Sequence, residues 1–279
     1  MTPLIPATIR TIELVAWDLD TYEARSQTPD CERLLQAYEA VSGRRADHLL
    51  DALCEEQTSA IRQVLKLQES RSDLQVEMLG LDWSLGVIDL RRLLTFQRRL
   101  SFHSVFPETN IPLQSDWRSL MEVAFAPPNP VAGDLFHDAS SKTITLRSSN
   151  PNLHLRVTQN PATPVAVHAG SPFFEVAQYA GRWFLRDGHH RAYHLLRAGV
   201  FHMPAVIVRA KTLEELGADR AHFFPEAVLV SQHPPFVSDF LDDRLTMQYD
   251  RLPAIKTLRI TLDESIAYPT PFTISGEQP

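Results

Sequence analysis

The chain has 279 residues, 44% of them hydrophobic and 22% charged, the balance of a soluble globular protein with a sizeable core. A formal net charge of −7 argues against a general electrostatic grip on nucleic acid or on an anionic membrane, and two cysteines exclude a disulfide scaffold. No apolar run reaches the roughly 18 residues of a membrane span, and Met1-Thr2-Pro3-Leu4-Ile5-Pro6 lacks a basic leader, so the expectation is a cytoplasmic protein.

Thr8 to Trp17 alternates and is rich in β-branched residues, which predicts a strand ending at Asp18-Leu19-Asp20. Those two acids suit a metal or, with fewer assumptions, a solvated strand end. Cys31 to Val41 and Ala46 to Leu67 carry apolar residues at three-and-four spacing and predict amphipathic helices. Leu81-Asp82-Trp83-Ser84-Leu85-Gly86 interrupts them. From Asp89 a further helix is predicted, with Leu90, Leu93, Leu94 and Leu100 on one side and Arg91, Arg92, Arg98 and Arg99 as solvated flanks. Residues 1–103 thus read as a mainly helical N-terminal region.

Pro107, Pro112, Pro127, Pro128 and Pro130 make a connector in which Trp117 to Phe125 is a short helix. Residues 104–217 are then expected to form a small mixed sheet with helices, its early strands at Thr143 to Leu146, Leu153 to Thr158 and Pro164 to Val167. A C-terminal extension, 218–279, would pack on that core. It is predicted to hold a strand at Ala227 to Val230, helical spacing from Phe236 to Tyr249, a strand at Leu258 to Leu262 and a loosely held tail. The fold class expected is α+β.

The most legible stretch is Phe184-Leu185-Arg186-Asp187-Gly188-His189-His190-Arg191, followed by a helical stripe through Tyr193, Leu196 and Val200. It reads as strand (Tyr179 to Leu185), tight turn and helix stopped by Gly199, with a buried strand at Met203 to Arg209 behind it. Such a turn aims the first backbone N–H groups of the helix at one point, where phosphate can bind. Gly188 would let a ligand approach, His189 and His190 can donate hydrogen bonds, and Arg191 offers a fork for phosphate oxygens. Asp187 could take a proton or hold a metal. The plainer reading is a helix cap followed by a solvated first turn. His190 and His194 stand at metal-binding spacing, but Arg191 between them argues against a cation, and no metal site is expected. Neither a Gly-x-Ser-x-Gly elbow nor a Gly-x-x-x-x-Gly-Lys phosphate loop is present.

Asp187-Gly188-His189-His190-Arg191, with the strand before it, Ala198-Gly199 after it and Pro204-Ala205-Val206-Ile207-Val208 beyond, resembles the core of the ParB/sulfiredoxin superfamily over about residues 164–209. Members of that superfamily bind nucleotides with this turn. The resemblance implies a nucleotide cofactor (ATP, ADP or CTP, with Mg2+ as its companion ion) or a phosphorylated small molecule held at Gly188, His189, His190 and Arg191, with Asp187 and His190 as the candidate catalytic groups. His189 stands where sulfiredoxins carry their cysteine, which argues against that activity. No Glu-Asn-x-x-Arg segment follows, which argues against DNA partition, and no upstream residue matches the catalytic glutamate of the free-serine kinase. Two function classes follow: an NTPase or small-molecule phosphotransferase, or a non-catalytic ligand-sensing or protein-interaction module on the same fold. The choice of base, the phosphoryl acceptor and whether the chain forms a homo-oligomer stay open.

Overall fold

The computed structural model describes residues 8–17, 31–44, 50–102, 111–127, 131, 133–150, 152–157, 165–220, 222–261, 263 and 265. Asp18, Asp20, Pro107, Pro128, Pro130 and the tail from 268 onward lie outside them. Strand β1 (Ile9–Leu14) leads to helices α1 (Cys31–Ser42), α2 (Glu55–Ala60), α3 (Arg62–Glu69) and α4 (Ser72–Glu77), then to β2 (Trp83–Asp89) and β3 (Arg99–Phe102). Helix α5 (Trp117–Ala124) precedes β4 (Asp134–Asp138), β5 (Thr143–Ser148), β6 (Leu153–Val157), β7 (Val165–Ala169), β8 (Glu175–Tyr179) and β9 (Arg182–Asp187). Helix α6 (His189–Arg197), β10 (His202–Arg209), α7 (Leu213–Leu216), α8 (Glu226–Leu229), β11 (Thr246–Arg251) and β12 (Lys256–Thr261) complete the chain. The fold is α+β, with several small sheets.

The sheet that positions the central turn has the order β2-β10-β8-β9. β10 runs parallel to β8 and antiparallel to β2, while β8 and β9 form a hairpin. The interior of β10 reads Met-Pro-Ala-Val-Ile-Val and is buried along its length, as a strand with neighbours on both edges must be. A second sheet, β11-β1-β3, joins residues from both ends of the chain. One apolar core runs from Leu14 and Leu65 through Val87, Phe184 and Val206 to Leu229 and Tyr249. Residues before 103 and after 218 therefore share a core with the central stretch.

The described residues before 103 include strands β1, β2 and β3 beside the helices. Asp89 to Leu100 is not a helix: a 3-10 turn at Leu90–Arg92 gives way to extended chain. Leu90, Leu93 and Leu94 are all fully buried, and their backbone groups bond to distant partners, Leu90 N–H to Phe201 O and Leu94 N–H to Trp183 O. Tertiary hydrogen bonds have replaced the i→i−4 ladder that the leucine spacing suggested. Arg98 and Arg99 are not solvated flanks either. Arg98 is buried over the Phe224 ring, and Arg99 makes a two-pronged ion pair with the buried Glu13.

Tyr179 to Leu185 is likewise not one strand, because Ala180 and Gly181 both take positive φ and turn the chain into a hairpin. Ala227 to Val230 falls in α8, which starts directly after Pro225, a residue suited to open a helix. Phe236 to Tyr249 resolves into a 3-10 turn at Val237–Leu241 and then β11. Trp117 to Phe125 and Met203 to Arg209 fold as their patterns predict.

Gly86 tests this packing. A Cβ there would stand 2.8 Å from both Ile207 Cδ1 and Leu53 Cδ1, within the layer that joins β2 to β10 and the 50–54 segment. Gly86→Val is expected to lower stability by about 1–3 kcal/mol through overpacking, read from urea unfolding. A change of a few tenths would show that this layer yields freely.

Candidate functional site at the start of helix α6

Gly188 sits at φ +97° and caps α6 with no side-chain hydrogen bond to the first turn. The left-handed backbone favours glycine. A Cβ at Gly188 would lie 2.8 Å from the Phe174 ring, so the missing side chain leaves room for Phe174 rather than for a ligand. What remains at the turn for a ligand is the set of first-turn N–H groups and the positive end of the helix.

Arg191 lies back across the turn. Its Nη1 donates to Val123 O (3.0 Å) and Pro172 O (2.8 Å), its Nη2 to Phe173 O (2.6 Å), and Asp187 Oδ1 lies 3.6 Å away. The fork expected to hold phosphate oxygens thus ties the end of α5 and the 172–173 loop to α6. Burial lowers its basicity while Asp187 and Glu175 raise it.

His189 is 3% exposed, and its ring meets Phe96 edge-on at 5.3 Å. Burial, with the neighbouring His190, pushes it down to about 3, so it is neutral at physiological pH. Its Nε2 is buried with no hydrogen-bond partner. An orphaned buried nitrogen carries a desolvation cost of order 1–3 kcal/mol, which is why such atoms mark ligand or water positions. His190 is exposed, with Nε2 2.9 Å from Ser101 O and its ring edge-on to Phe102. His194 packs near the same phenylalanine. Among the described residues no group of three or more His, Cys, Asp or Glu could hold a metal ion.

Asp187 ends β9, and its carboxylate accepts from the N–H groups of Gly188 and Ser171. Burial, with the charge of Glu175 added, raises its pKa to about 6 against the pull of Arg191. Glu175 is 1% exposed, accepts from the Ser171 hydroxyl and pairs with Arg186, whose Nε donates to Glu215 O. Glu175 is a site residue that the sequence analysis does not single out. A regular hairpin about Ala180-Gly181 would set it opposite Arg186, but a register shift between Glu175 and Val176 sets it opposite Asp187. Only the bulge makes the two carboxylates neighbours.

The turn therefore brings Asp187, Gly188, His189, His190 and Arg191 together with Glu175 and Ser171. The uncapped helix start and the orphaned His189 Nε2 fit an oxyanion. Arg191 and the Gly188 surface are engaged within the protein. No family model, curated protein or solved structure matches this chain.

Proposed function

We propose that the start of α6 is an oxyanion site and that the chain is a ParB/sulfiredoxin-like nucleotide- or phosphate-binding protein acting as an NTPase or small-molecule phosphotransferase. The observation that carries the reading is the Asp187–Glu175 pair beside an uncapped helix N-terminus, with Asp187 lifted to about 6. A carboxyl tuned toward neutrality next to an anion-binding backbone is what proton transfer during phosphoryl chemistry requires. A bound nucleotide (ATP, ADP or CTP, with Mg2+) would supply the phosphoryl group. The chain's own residues would do the rest. The first-turn N–H groups and His189 orient the phosphate, Asp187 takes the proton of the attacking hydroxyl, Glu175 makes Asp187 a stronger base, and Arg191 holds Asp187 in place. His190, which is exposed, would contact the outer oxygens.

One observation favours the second class, a non-catalytic ligand-sensing or interaction module. Arg191 spends its donors on three backbone carbonyls, which suits a turn retained for its shape. Among the described residues no helix is long and apolar enough to cross a membrane, and this reading needs none.

Calorimetry against ATP, ADP, CTP and orthophosphate, followed by a phosphate-release assay, separates the classes. The enzyme reading expects Asp187→Asn to bind nucleotide nearly as wild type and to turn over about 10²-fold more slowly or worse, the scale of a lost general base. Binding without turnover in wild type, and tighter phosphate binding in Asp187→Asn, would leave the sensing module.

A further inference from the structure

We infer that a second oxyanion subsite lies beside the α6 turn, on the polar face of the β11-β1-β3 sheet, where it takes the far phosphate of a ligand carrying two or more phosphate groups. The inference rests on the reading of the turn as a phosphate site, but its residues come from other segments of the chain.

Strand register sorts that sheet into two faces. Thr11, Glu13, Arg99, Ser101, Tyr249 and Arg251 share one of them by period-two alternation, with the apolar Ile9 and Met247 at its two ends. Thr11 and Glu13 are fully buried and Tyr249 nearly so, yet the face is polar where an interior face is normally apolar. Glu13 is fully engaged: Arg99 grips it at 2.8 and 2.9 Å, and the Tyr249 hydroxyl donates to it at 2.6 Å. Its charge is therefore not available to offset Arg220 and Arg251, neither of which has an ion-pair partner among the described residues. Arg251 also keeps a buried Nε with no acceptor.

Arg220, Arg99, Arg251 and Arg98 all press on His222, which burial and their combined charge hold below the usual histidine range. Among the described residues Arg220 and Arg251 thus stand close to His222 while Glu13, the buried carboxylate of this face, is held by Arg99 and Tyr249. Like charges so assembled oppose folding unless an anion is to sit among them.

The cluster adjoins the α6 turn directly. Ser101 accepts from His190 on its carbonyl (2.9 Å) and from Arg251 Nη2 on its hydroxyl (3.1 Å). A column of rings makes a second link. His189 meets Phe96, Phe96 meets Phe223 at 4.8 Å, and Phe223 meets His222 at 4.4 Å, with Arg220 over the Phe223 ring. Ser101, bonded to His190 on one side and to Arg251 on the other, links the helix start to the arginine cluster, so that a ligand of linked phosphates would engage both where a lone phosphate engages one.

The test is calorimetric titration of the full chain, at fixed ionic strength, with orthophosphate and with tripolyphosphate. Wild type, Arg220→Gln, Arg251→Gln and the control Arg197→Gln, on the exposed far end of α6, are compared. Wild type and control are expected to prefer tripolyphosphate by about 30-fold or more, and each cluster variant to lose about tenfold of that preference with orthophosphate binding unchanged, the scale of one charge-assisted hydrogen bond. Arg220 is exposed and its variant should fold as wild type, so the test survives a folding defect in Arg251→Gln. Equal affinity for the two anions, or a preference untouched in both variants, overturns the subsite while the turn reading stands. Orthophosphate binding that falls with Arg220 and Arg251 but leaves the α6 turn amides unmoved would keep the subsite and sink the turn.

Discussion

Arg191→Ala is expected to destabilise the protein by about 3–5 kcal/mol, the largest effect of any single substitution near the turn. The guanidinium satisfies the carbonyls of Val123, Pro172 and Phe173 and is the cation beside Asp187. Removing it strands three acceptors and a carboxylate at once. Each stranded group costs of order 1–3 kcal/mol, and water entering through the one-fifth of the side chain that is exposed recovers part of the sum. Arg191→Lys should fall between, since an ammonium keeps the charge but cannot reach all three carbonyls in the plane of a fork. Urea unfolding followed by tryptophan fluorescence reads the loss. A change below 1 kcal/mol would show that these bonds are not what fastens α5 and the 172–173 loop to α6.

Asp187→Asn is expected to change the shape of the pH–stability profile rather than only its height. In the folded protein Asp187 titrates near 6 against an ordinary 3.8, so between those values the folded state holds a proton that the unfolded chain lacks, and stability falls as pH rises. His189 works the other way. Its folded value near 3 against 6.5 means that the unfolded chain holds the extra proton, and stability falls as pH drops below 6.5. From about pH 6 to pH 4 the two slopes largely offset each other in wild type.

The asparagine variant keeps only the His189 slope, about 1.4 kcal/mol lost per pH unit on acidification. At pH 7 it should exceed wild type by about 1–2 kcal/mol, a figure discounted because a third of the Asp187 side chain meets solvent. That gain should vanish by pH 4. Parallel profiles for the two proteins would mean that Asp187 ionises as an ordinary carboxylate and would remove the main support for proton transfer at this site.

What could be read in the sequence was what short-range physics decides. Gly188 at a left-handed position, α6 with its apolar stripe and β10 with its β-branched run each follow from neighbours within a few residues. The leucines of 89–100 misled because their spacing fits a helix while their backbone partners, Trp183 O and Phe201 O, come from elsewhere in the chain. The hairpin at Ala180-Gly181 was hidden because alanine at positive φ is not a usual turn signal. Glu175 reached Asp187 only through a bulge that no periodicity announces. The arginine cluster was out of reach for another reason: it assembles Arg98, Arg99, Arg220, His222 and Arg251 from distant stretches, which the pairing of β1 with β3 and β11 and the Gln97–Phe223 bridge bring together.

The central claim is that the first turn of α6 holds a phosphate. Its most direct test is the backbone amide spectrum of the full chain titrated with orthophosphate and then with ATP, ADP and CTP. The His189, His190 and Arg191 amides are expected to move first and saturate, with the His189 ring nitrogen following. Saturating ligand that leaves those three amides in place, or that moves only amides remote from Gly188, would contradict it.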